Sequence, residues 1–452
     1  METALIVLAA GKGTRMMSDK AKVLHEIGQA PMLHHALAAG VTLSPRRVVV
    51  VIGQAAEDVA EAVTAYLPEA ETVIQDPQLG TGHAVAQAAP ALAGFAGDAL
   101  VLYGDTPFIR SETLEAMAKA RRAGADIVVL GFEAEVPARY GRLVTEGDEL
   151  LKIVEFKDAT EAERAIALCN SGVIMADAET LIALVAAVGN DNAAGEFYLT
   201  DIVELGRARG LSARVVHCPE AETQGINSRA ELAAAEAAFQ SRRRAEALET
   251  GVTLLDPETV YFAFDTQIGR DALIEQNVVF GMGATIETGA RIRAFSHIEG
   301  AHVSRGASVG PYARLRPGAE LAENVRIGNF VEVKNAVLEE GVKANHLSYI
   351  GDASIGAKSN IGAGAITCNY DGVLKHRTEI GEGAFIGSST MLVAPLRVGD
   401  GAITASGSVI TRDVPEDALS IARSRQENKL GFASKLRARL SALKADLTRR
   451  GK

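Results

Sequence analysis

The stretch VSRGASVGPYARLRPGAELAENVRIGNFVEV, residues 303–333, carries an aliphatic residue at every sixth position. A period of six fits neither the 3.6-residue turn of an α-helix nor the alternation of a simple strand. It is typical of the hexapeptide repeat of a parallel β-helix, where each rung contributes one inward-facing aliphatic residue. The register continues beyond this stretch, so we predict a β-helix over much of the second half. The repeating positions are Val303, Val309, Leu315, Leu321, Ile327, Val333, Ile355, Ile361, Ile380, Ile386, Leu392, Val398 and Ile410.

The first half of the chain has a different pattern. Short apolar runs at 5–8, 48–52, 99–103 and 126–130 alternate with Ala-rich, helix-favouring segments at 55–65 and 111–123. Strands that alternate with helices indicate an α/β fold with a mainly parallel sheet. We therefore predict four parts: an α/β domain at 1–227, a linker helix at 228–250 with Ser228 as its N-cap, a β-helix domain at 251–425 and a tail at 426–452. The tail is predicted to be a solvated basic helix; an arm onto a neighbouring subunit is the less favoured interpretation.

Composition narrows the class of protein. The net charge is −11, which argues against nucleic acid as a partner. The three cysteines, Cys169, Cys218 and Cys368, are far apart and lack CxxC spacing, which argues against a disulfide framework or a Cys-rich zinc site. No stretch approaches the roughly 20 apolar residues of a membrane span, and the run at 4–10 is short and lacks a basic flank for a signal peptide. We expect a cytoplasmic protein without a membrane partner.

A glycine-rich loop, Gly11-Lys12-Gly13-Thr14-Arg15-Met16, follows the first apolar run and precedes a predicted helical segment. Glycines let backbone N–H groups approach phosphate oxygens, and a helix start would add a positive dipole end. Met16 replaces the third glycine of the dinucleotide fingerprint, and the Gly-Lys-Ser/Thr of the Walker loop is missing. The loop alone therefore leaves a phosphate site and an ordinary βα turn open.

Other residues favour the phosphate site. They are Lys22, the turn Gly80-Thr81-Gly82-His83, the strand end Tyr103-Gly104-Asp105 and Glu155. Each alone could be a surface lysine, a turn residue or a solvated carboxylate. Together they resemble the sugar nucleotidyltransferases: residues 8–16 nearly match that family's signature loop. Residues 21–25, Ala-Lys-Val-Leu-His, match its second part except for Ala21 in place of Pro.

The resemblance implies transfer of a uridylyl group from UTP to a sugar-1-phosphate. Arg15 and Lys22 would be catalytic, and Asp105 and Asn227 would hold Mg²⁺, which accepts carboxylate and amide oxygens. A phosphate monoester is already ionised at pH 7, so no general base is required. The residues implied to bind UTP and the sugar nucleotide are Leu8, Ala9, Ala10, Gly11, Lys22, Gln75, Gly80, Thr81, Tyr103, Gly104, Asp105, Gly141, Glu155, Asn170 and Asn227.

Two segments interrupt the repeat, at 343–349 and 367–372, and functional residues favour such loops. The first contains His346, which without further context is better taken as a non-catalytic histidine. Its surroundings, however, resemble the acetyltransferase half of the bifunctional N-acetylglucosamine-1-phosphate uridylyltransferase/glucosamine-1-phosphate N-acetyltransferases. The similar stretches are 314–318 (RLRPG), 328–334 (GNFVEVK), 361–364 (IGAG) and 367–372 (TCNYDG).

That resemblance implies a Rossmann-like domain followed by a left-handed β-helix, in homotrimers that hold acetyl-CoA between subunits. His346 would be the general base that deprotonates the sugar amine, with Glu332 orienting it. The sugar phosphate would contact Arg316, Lys334, Tyr349 and Asn360. Acetyl-CoA would contact Ala363, Asn369, Tyr370, Ser388, Ser406 and Arg423. The family often has Ala at the position of Ser406.

The predicted product is UDP-N-acetylglucosamine, a precursor of peptidoglycan and lipopolysaccharide, made from glucosamine-1-phosphate, acetyl-CoA and UTP. Two other interpretations stay open. One is a single-activity nucleotidyltransferase with a regulatory β-helix, and the other is a non-catalytic assembly subunit of similar layout. The presence of Arg15, Lys22 and Asp105 argues against the subunit, and the presence of His346, Asn369 and Tyr370 argues against a single activity.

Overall fold

A computed structural model describes residues 2–11, 13–53 and 56–451. The chain forms two compact units, Met1–Ala245 with Phe262–Phe264, and Glu246–Tyr261 with Asp265–Lys452. We call them the α/β unit and the β-helix unit. Among the described residues, no helix combines the length and apolar character needed to cross a membrane.

The α/β unit is built on a nine-stranded sheet. Its strands and the small hairpin β2–β3 are β1 Thr3–Ala9, β2 Glu26–Ile27, β3 Ala30–Pro31, β4 Arg47–Gly53, β5 Glu71–Gln75, β6 Asp98–Tyr103, β7 Ile127–Glu133, β8 Arg142–Glu146, β9 Glu149–Val154, β10 Leu168–Asp177 and β11 Ala213–His217. The order is β11-β7-β10-β6-β1-β4-β5, with β8 and β9 attached to β10. Strands β5, β4, β1 and β6 are parallel, whereas β10 runs antiparallel to β6 and β7.

Helices cover both faces of this sheet, because its central strands are apolar on both sides. Alternate residues of β1 belong to opposite cores: Ile6 to one and Leu5 to the other. The helices are α1 Met32–Val41, α2 Glu57–Tyr66, α3 Thr81–Gln87, α4 Ser111–Arg122, α5 Glu161–Arg164, α6 Ala178–Val185, α7 Ile202–Ala208 and α8 Arg229–Glu249. Short 3₁₀ turns lie at Thr14–Met16, Lys22–Leu24, Pro90–Leu92, Leu199–Asp201, Glu220–Glu222 and Pro257–Thr259.

The β-helix unit consists of short parallel strands stacked in coils, as the period of six predicted. The strands are β12 Thr253–Leu254, β13 Gln267–Ile268, β14 Leu273–Ile274, β15 Val279–Phe280, β16 Thr285–Ile286, β17 Arg291–Ile292, β18 His297–Ile298, β19 Ala301–Val303, β20 Ser308–Val309, β21 Arg314–Leu315, β22 Ala319–Leu321, β23 Arg326–Asn329, β24 Glu332–Leu338, β25 Lys343–His346, β26 Tyr349–Ile355, β27 Asn360–Ile361, β28 Ile366–Cys368, β29 Thr378–Ile380, β30 Phe385–Ile386, β31 Met391–Val393, β32 Leu396–Val398, β33 Ile403–Thr404, β34 Val409–Ile410 and β35 Leu419–Ser420.

The repeat residues form the core of this unit. Val309 pairs with Ile327 one coil later, and the six repeat residues of 303–333 are at most 2% exposed. Glycine often follows the aliphatic residue because successive coils approach closely there: a β-carbon on Gly328 would overlap the backbone carbonyl of Asn345. The predicted parallel β-helix is thus confirmed.

Helix α8 precedes the β-helix in the chain, and a further helix follows it. Ser228 caps α8: its Oγ accepts from the backbone N–H of Glu231 at 3.3 Å, and the Glu231 carboxylate accepts from the N–H of Ser228 at 3.1 Å. In the tail, α9 spans Phe432–Arg450 with an exposed surface along its whole length.

Candidate active sites

A cavity of about 350 Å³ lies at the carboxyl ends of β1 and β6. Strand β1 pairs with β4 on one side and with β6 on the other. The segments that follow β1 and β6 continue to opposite sides of the sheet and therefore diverge at this edge. Ligands of open α/β sheets bind at such a point. Ten of the residues predicted for the nucleotide line this cavity: Leu8, Ala9, Ala10, Gly11, Lys22, Gln75, Gly80, Thr81, Tyr103 and Asp105.

The glycine-rich loop differs from its prediction in one respect. The loop ends in the 3₁₀ turn Thr14–Met16, and the next α-helix begins at Met32. Gly13 and Met17, on either side of the turn, have left-handed backbones, which stop a helix from continuing. The predicted helix start is therefore wrong, and no helix dipole from this segment assists phosphate binding. Arg15 lies exposed on the turn, and Lys12 falls outside the described residues.

Gly13 also brings Lys22 to the loop. A β-carbon at Gly13 would lie 2.5 Å from the β-carbon of Lys22, so glycine permits this contact and the backbone φ of 60°. The ammonium of Lys22 donates to the carboxylate of Asp105 and, at 3.1 Å, to Oδ1 of Asn227. The structure thus joins three predicted residues that are far apart in sequence.

The oxygens of Asp105 and Asn227 suit a magnesium ion. Both face one cation, the Lys22 ammonium, and one carboxylate plus one amide oxygen is a donor set that Mg²⁺ accepts together with waters and phosphates. The backbone N–H of Asn227 donates to Glu231 at 2.5 Å, which fixes this residue just before α8. Within the described residues no group of three or more His, Cys, Asp or Glu could hold a metal, so a metal here would share its remaining positions with substrate and water.

Three residues predicted to bind the sugar, Gly141, Glu155 and Asn170, lie close to one another. A β-carbon on Gly141 would be 3.5 Å from both the β-carbon of Asn170 and Oε1 of Glu155. The N–H of Asn170 donates to the carbonyl of Gly141 at 2.9 Å. Burial raises the pKa of Glu155, opposed by a hydrogen bond from Thr200 at 3.3 Å. Burial likewise raises the pKa of Tyr103. This corner presents hydrogen-bonding groups that suit sugar hydroxyls.

Two of the predicted contacts have an internal role. The side-chain amide of Gln75 donates to the carbonyl of Gly80 at 2.9 Å, which holds the turn before α3. The N–H of Gly104 donates to the carbonyl of Leu8 at 3.0 Å, which ties the ends of β6 and β1 together. Both shape the cavity wall.

On the β-helix, His346 is exposed at the end of β25. Its Nδ1 lies 2.9 Å from Oδ1 of Asn329, one coil earlier. The sequence predicted Glu332 in this orienting role, but Glu332 instead accepts from the guanidinium of Arg316 at 2.8 Å. The coil register explains the difference, because Asn329 pairs with His346, whereas Glu332 pairs with Tyr349. Asn329 was not singled out from the sequence.

A cluster of cations lies near Glu332. Lys334 follows it by two residues, and the ammonium of Lys375 beside it, together with Arg316, lowers the pKa of Lys334. Arg316 and Lys334 were predicted for the sugar phosphate, and Lys375 was missed. It lies just beyond the second interruption of the repeat, so the loop was recognised but its end was placed too early. Neighbouring ammonium groups repel each other, and a bound anion would offset this repulsion.

The second interruption forms an ordered loop. Asn369 is 8% exposed, and its side-chain nitrogen donates to Asp352. Tyr370 is 60% exposed and donates to the carbonyl of Gly372 at 2.6 Å. Asp371 pairs with His376 at 2.7 Å, and that bond, with two backbone N–H groups, lowers the pKa of Asp371 to about 2.

The other predicted acetyl-CoA residues follow one another along successive coils. The carbonyl of Ala363 accepts from the N–H of Ser389 at 2.7 Å, and the carbonyl of Ser388 accepts from Gly407 at 2.8 Å. Arg423 lies against Gly407, next to Ser406, where a β-carbon would be 3.7 Å from its side chain. Asn360 lies on β27, which pairs with the strand that carries His346, and Tyr349 begins β26.

Residues 5–194 match the family of the MobA-like NTP transferase domain. The chain is 63% identical over 441 residues to the bifunctional protein GlmU of Jannaschia sp. (strain CCS1), covering 98% of this chain and 97% of that one. It is 66% identical over 446 residues to the bifunctional protein GlmU of Dinoroseobacter shibae, covering 98% and 99%.

Among solved structures, an apo-UDP-glucose pyrophosphorylase is similar at 16% identity, with a TM-score of 0.44, over 54% of this chain and 100% of that one. The family assignment rests on the GlmU proteins, whose similarity extends across both units. This chain belongs to the family of bifunctional GlmU proteins.

Proposed function

We propose that each unit carries out one of two consecutive reactions with the residues described above. The protein acetylates glucosamine-1-phosphate with acetyl-CoA, and it transfers a uridylyl group from UTP to N-acetylglucosamine-1-phosphate, giving UDP-N-acetylglucosamine and pyrophosphate. The observation that carries the site assignment is that each unit gathers its own set of charged and polar groups. One set is Lys22, Asp105 and Asn227, and the other is His346 with the cations near Glu332.

Uridylyl transfer belongs to the cavity of the α/β unit. The sugar-1-phosphate oxygen attacks the α-phosphate of UTP, the P–O bond to pyrophosphate breaks, and no proton has to be removed because the nucleophile is already ionised. Lys22 and Arg15 neutralise phosphate charge, and the cavity holds the two reactants in line. Asp105 and Asn227 would hold Mg²⁺, which would supply further charge neutralisation.

Acetyl transfer belongs to the β-helix. Oδ1 of Asn329 is an acceptor, so it favours the tautomer with hydrogen on Nδ1 of His346 and leaves Nε2 as a base. Nε2 takes the proton that the sugar ammonium must lose, and the amine nitrogen attacks the thioester carbonyl. The C–N bond forms and the C–S bond breaks. The nitrogen loses its second proton to the departing sulfur, so CoA leaves as the thiol. Arg316, Lys334 and Lys375 hold the sugar phosphate.

A homotrimer is part of this proposal, with acetyl-CoA bound between subunits. An exposed row of stacked rings supports it: Phe295 and Tyr312 lie 4.8 Å apart between centroids, and Tyr312 and Phe330 lie 5.3 Å apart. These rings, here called the aromatic ladder, are 47%, 47% and 56% exposed, and Leu347, next to His346, is 61% exposed. Contiguous exposed apolar surface marks an interaction face. A second copy on the ladder would adjoin His346.

The substrates also favour a cytoplasmic location, because UTP and acetyl-CoA are cytoplasmic metabolites. The three cysteines are free thiols in the structure, in keeping with a reducing compartment.

The test follows both products in one reaction with glucosamine-1-phosphate, acetyl-CoA, UTP and Mg²⁺. Asp105→Ala should reduce pyrophosphate release at least ~100-fold and leave CoA release unchanged. His346→Ala should reduce CoA release at least ~100-fold and leave pyrophosphate release from supplied N-acetylglucosamine-1-phosphate unchanged. Each variant is the folding control for the other. If either substitution removed both activities in a folded protein, the two-site assignment would be wrong.

A further inference from the structure

Asp352 lies between two asparagines in a column across three successive coils. The side-chain nitrogen of Asn335 donates to its Oδ1 at 2.5 Å, and that of Asn369 donates to its Oδ2; each asparagine is 17 residues away. Asp352 is half-buried, and the ammoniums of Lys375 and Lys334 are close enough to act on it electrostatically. Although partial burial opposes ionisation, the two amides and the two ammoniums hold the pKa of Asp352 below its ordinary value.

An ionised carboxylate can only accept hydrogen bonds, so it dictates how an amide beside it is turned. Asn369 has its backbone fixed already: its N–H donates to the carbonyl of Thr367 at 3.0 Å, and its carbonyl accepts from His376 at 2.8 Å. The remaining freedom is a flip of the side-chain amide, which exchanges oxygen and nitrogen. Asp352 decides this flip, because only the nitrogen can donate to it.

We propose that Asp352 is a positioning residue of the acetyl-transfer site, which turns the amide of Asn369 so that its oxygen is left to accept from the reactants. The inference rests on the proposed place of Asn369 in that site. Among the described residues, Oδ1 of Asn369 receives no hydrogen bond from the protein, although the side chain is only 8% exposed. This oxygen is not sealed from solvent, so a donor group of a reactant can reach it and replace water there.

The partner of this oxygen must be a hydrogen-bond donor. Both reactants carry donors: glucosamine-1-phosphate has its amino and hydroxyl groups, and the acetyl-CoA arm has its amides and a hydroxyl. A separate KM for each substrate distinguishes the two sources, because loss of the acceptor raises the KM of the substrate that donates to it.

The experiment replaces Asp352 with asparagine, which keeps its size but offers oxygen to only one neighbour. Asp352→Asn should lower kcat/KM of acetyl transfer about 10- to 100-fold, with the rise in KM confined to one of the two substrates. Uridylyl transfer by the same preparation should be unchanged, which controls for folding and concentration. The matched control is Asn335→Gly, which removes the other partner of the same carboxylate and suits the left-handed backbone of residue 335 at φ 45°. It should change acetyl transfer less than about threefold.

A reversed pair gives a readout that a merely structural role would not move. In Asp352→Asn/Asn369→Asp the new asparagine can donate to the new carboxylate, whose second oxygen again faces the reactants as an acceptor. The double variant should recover at least about fivefold over Asn369→Asp alone. No recovery, or a single Asp352→Asn variant with full acetyl transfer while Asn369→Ala is inactive, would overturn the role of Asp352. Full activity of Asn369→Ala would overturn both this role and the proposed place of Asn369.

Discussion

The two active sites solve the problem of holding a charged substrate in different ways. The α/β unit surrounds its site: Lys22 and Asp105 have side chains only 11% and 19% exposed, and they line a cavity formed where strands of one sheet diverge. The corresponding ion pair of the β-helix, Arg316 with Glu332, is 32% and 31% exposed. A β-helix presents side chains in rows on an outer surface, so each row offers one wall. We propose that the second wall, which contacts the other side of the ligand, comes from a neighbouring subunit.

This difference has an electrostatic consequence. Charges in a partly enclosed site interact through a lower effective dielectric than charges at a surface, and salt screens them less. The proposed nucleotide site can therefore work with few charges, whereas the β-helix gathers Arg316, Lys334 and Lys375 where we propose that the sugar phosphate binds. We expect uridylyl transfer to depend on the single chain and acetyl transfer to depend on its neighbours and on ionic strength.

The largest expected effect comes from breaking the proposed subunit interface. Phe330→Asp places a charge at one end of the aromatic ladder, at a residue whose φ of 57° an aspartate tolerates. We expect the proposed trimer to dissociate in sedimentation velocity experiments. Acetyl transfer should fall at least ~100-fold because its second wall is lost, whereas uridylyl transfer should persist.

The control for this variant is Val337→Asp, at another exposed apolar residue of the β-helix, 42% exposed and in a different column beside Glu320 and Ser354. It should leave both mass and activities unchanged. A Phe330→Asp protein of unchanged mass would place the interface elsewhere, and a monomer with full acetyl transfer would contradict the idea of a shared site.

The features that could be predicted from the sequence are those that depend on short-range patterns of residues. The period of six in residues 303–333 fixes which side chains face inward, because each coil repeats the same geometry. Residues at strand ends, such as Asp105 after β6, could also be placed, because parallel strands bring their carboxyl ends to one edge. The hand of the β-helix could not be derived from spacing and came only from the family resemblance.

The errors concern what depends on register and loop shape. Asn329 reaches His346 because the coil between them has 17 residues, and a shift by a few positions would have given Glu332 that place. The 3₁₀ turn at the end of the glycine-rich loop follows from the left-handed backbone of Gly13 and Met17. Methionine rarely adopts this conformation, so the sequence did not predict it at Met17. The contacts of Lys375 and Asp352 join residues of different coils, so they could not be predicted from the sequence.

A moderate effect should sharpen the contrast in electrostatics. Lys375→Ala removes one of the three cations near Glu332, and we expect the KM for glucosamine-1-phosphate to rise ~10- to 100-fold, as for loss of a charged hydrogen bond. The increase should be smaller at high salt, where surface charges are already screened. The measurement is acetyl-transfer kinetics at two ionic strengths.

Lys358→Ala is the matched control, since this lysine of the same unit is exposed and its nearby carboxylate is that of Glu382 at 3.7 Å. Its KM should equal that of the wild type. Equal KM values for Lys375→Ala and wild type would mean that the loop lysine does not bind the phosphate.

The smallest effect concerns acid stability and again separates the units. His25, His34 and His35, whose pKa values are lowered chiefly by burial, all belong to the α/β unit. His35 shows it most strongly: it is 4% exposed, its Nε2 donates to the carbonyl of Ile27 at 2.8 Å, and burial lowers its pKa from 6.5 to about 4. Because the unfolded chain binds this proton more readily, stability is full above pH 6.5 and falls as the pH drops towards about 4.

Between pH 6.5 and about pH 5.5 the contribution of His35 amounts to about 1 kcal/mol, which differential scanning calorimetry on the full chain can resolve. His35→Gln keeps a donor for Ile27 without the titration, so the transition of the α/β unit should lose that part of its pH dependence. The transition of the β-helix unit should be unaffected. His217→Gln, at an exposed histidine of the same unit, should leave the slope as it is. An unchanged slope in His35→Gln would show that the acid sensitivity of the enclosed unit comes from groups other than this buried imidazole.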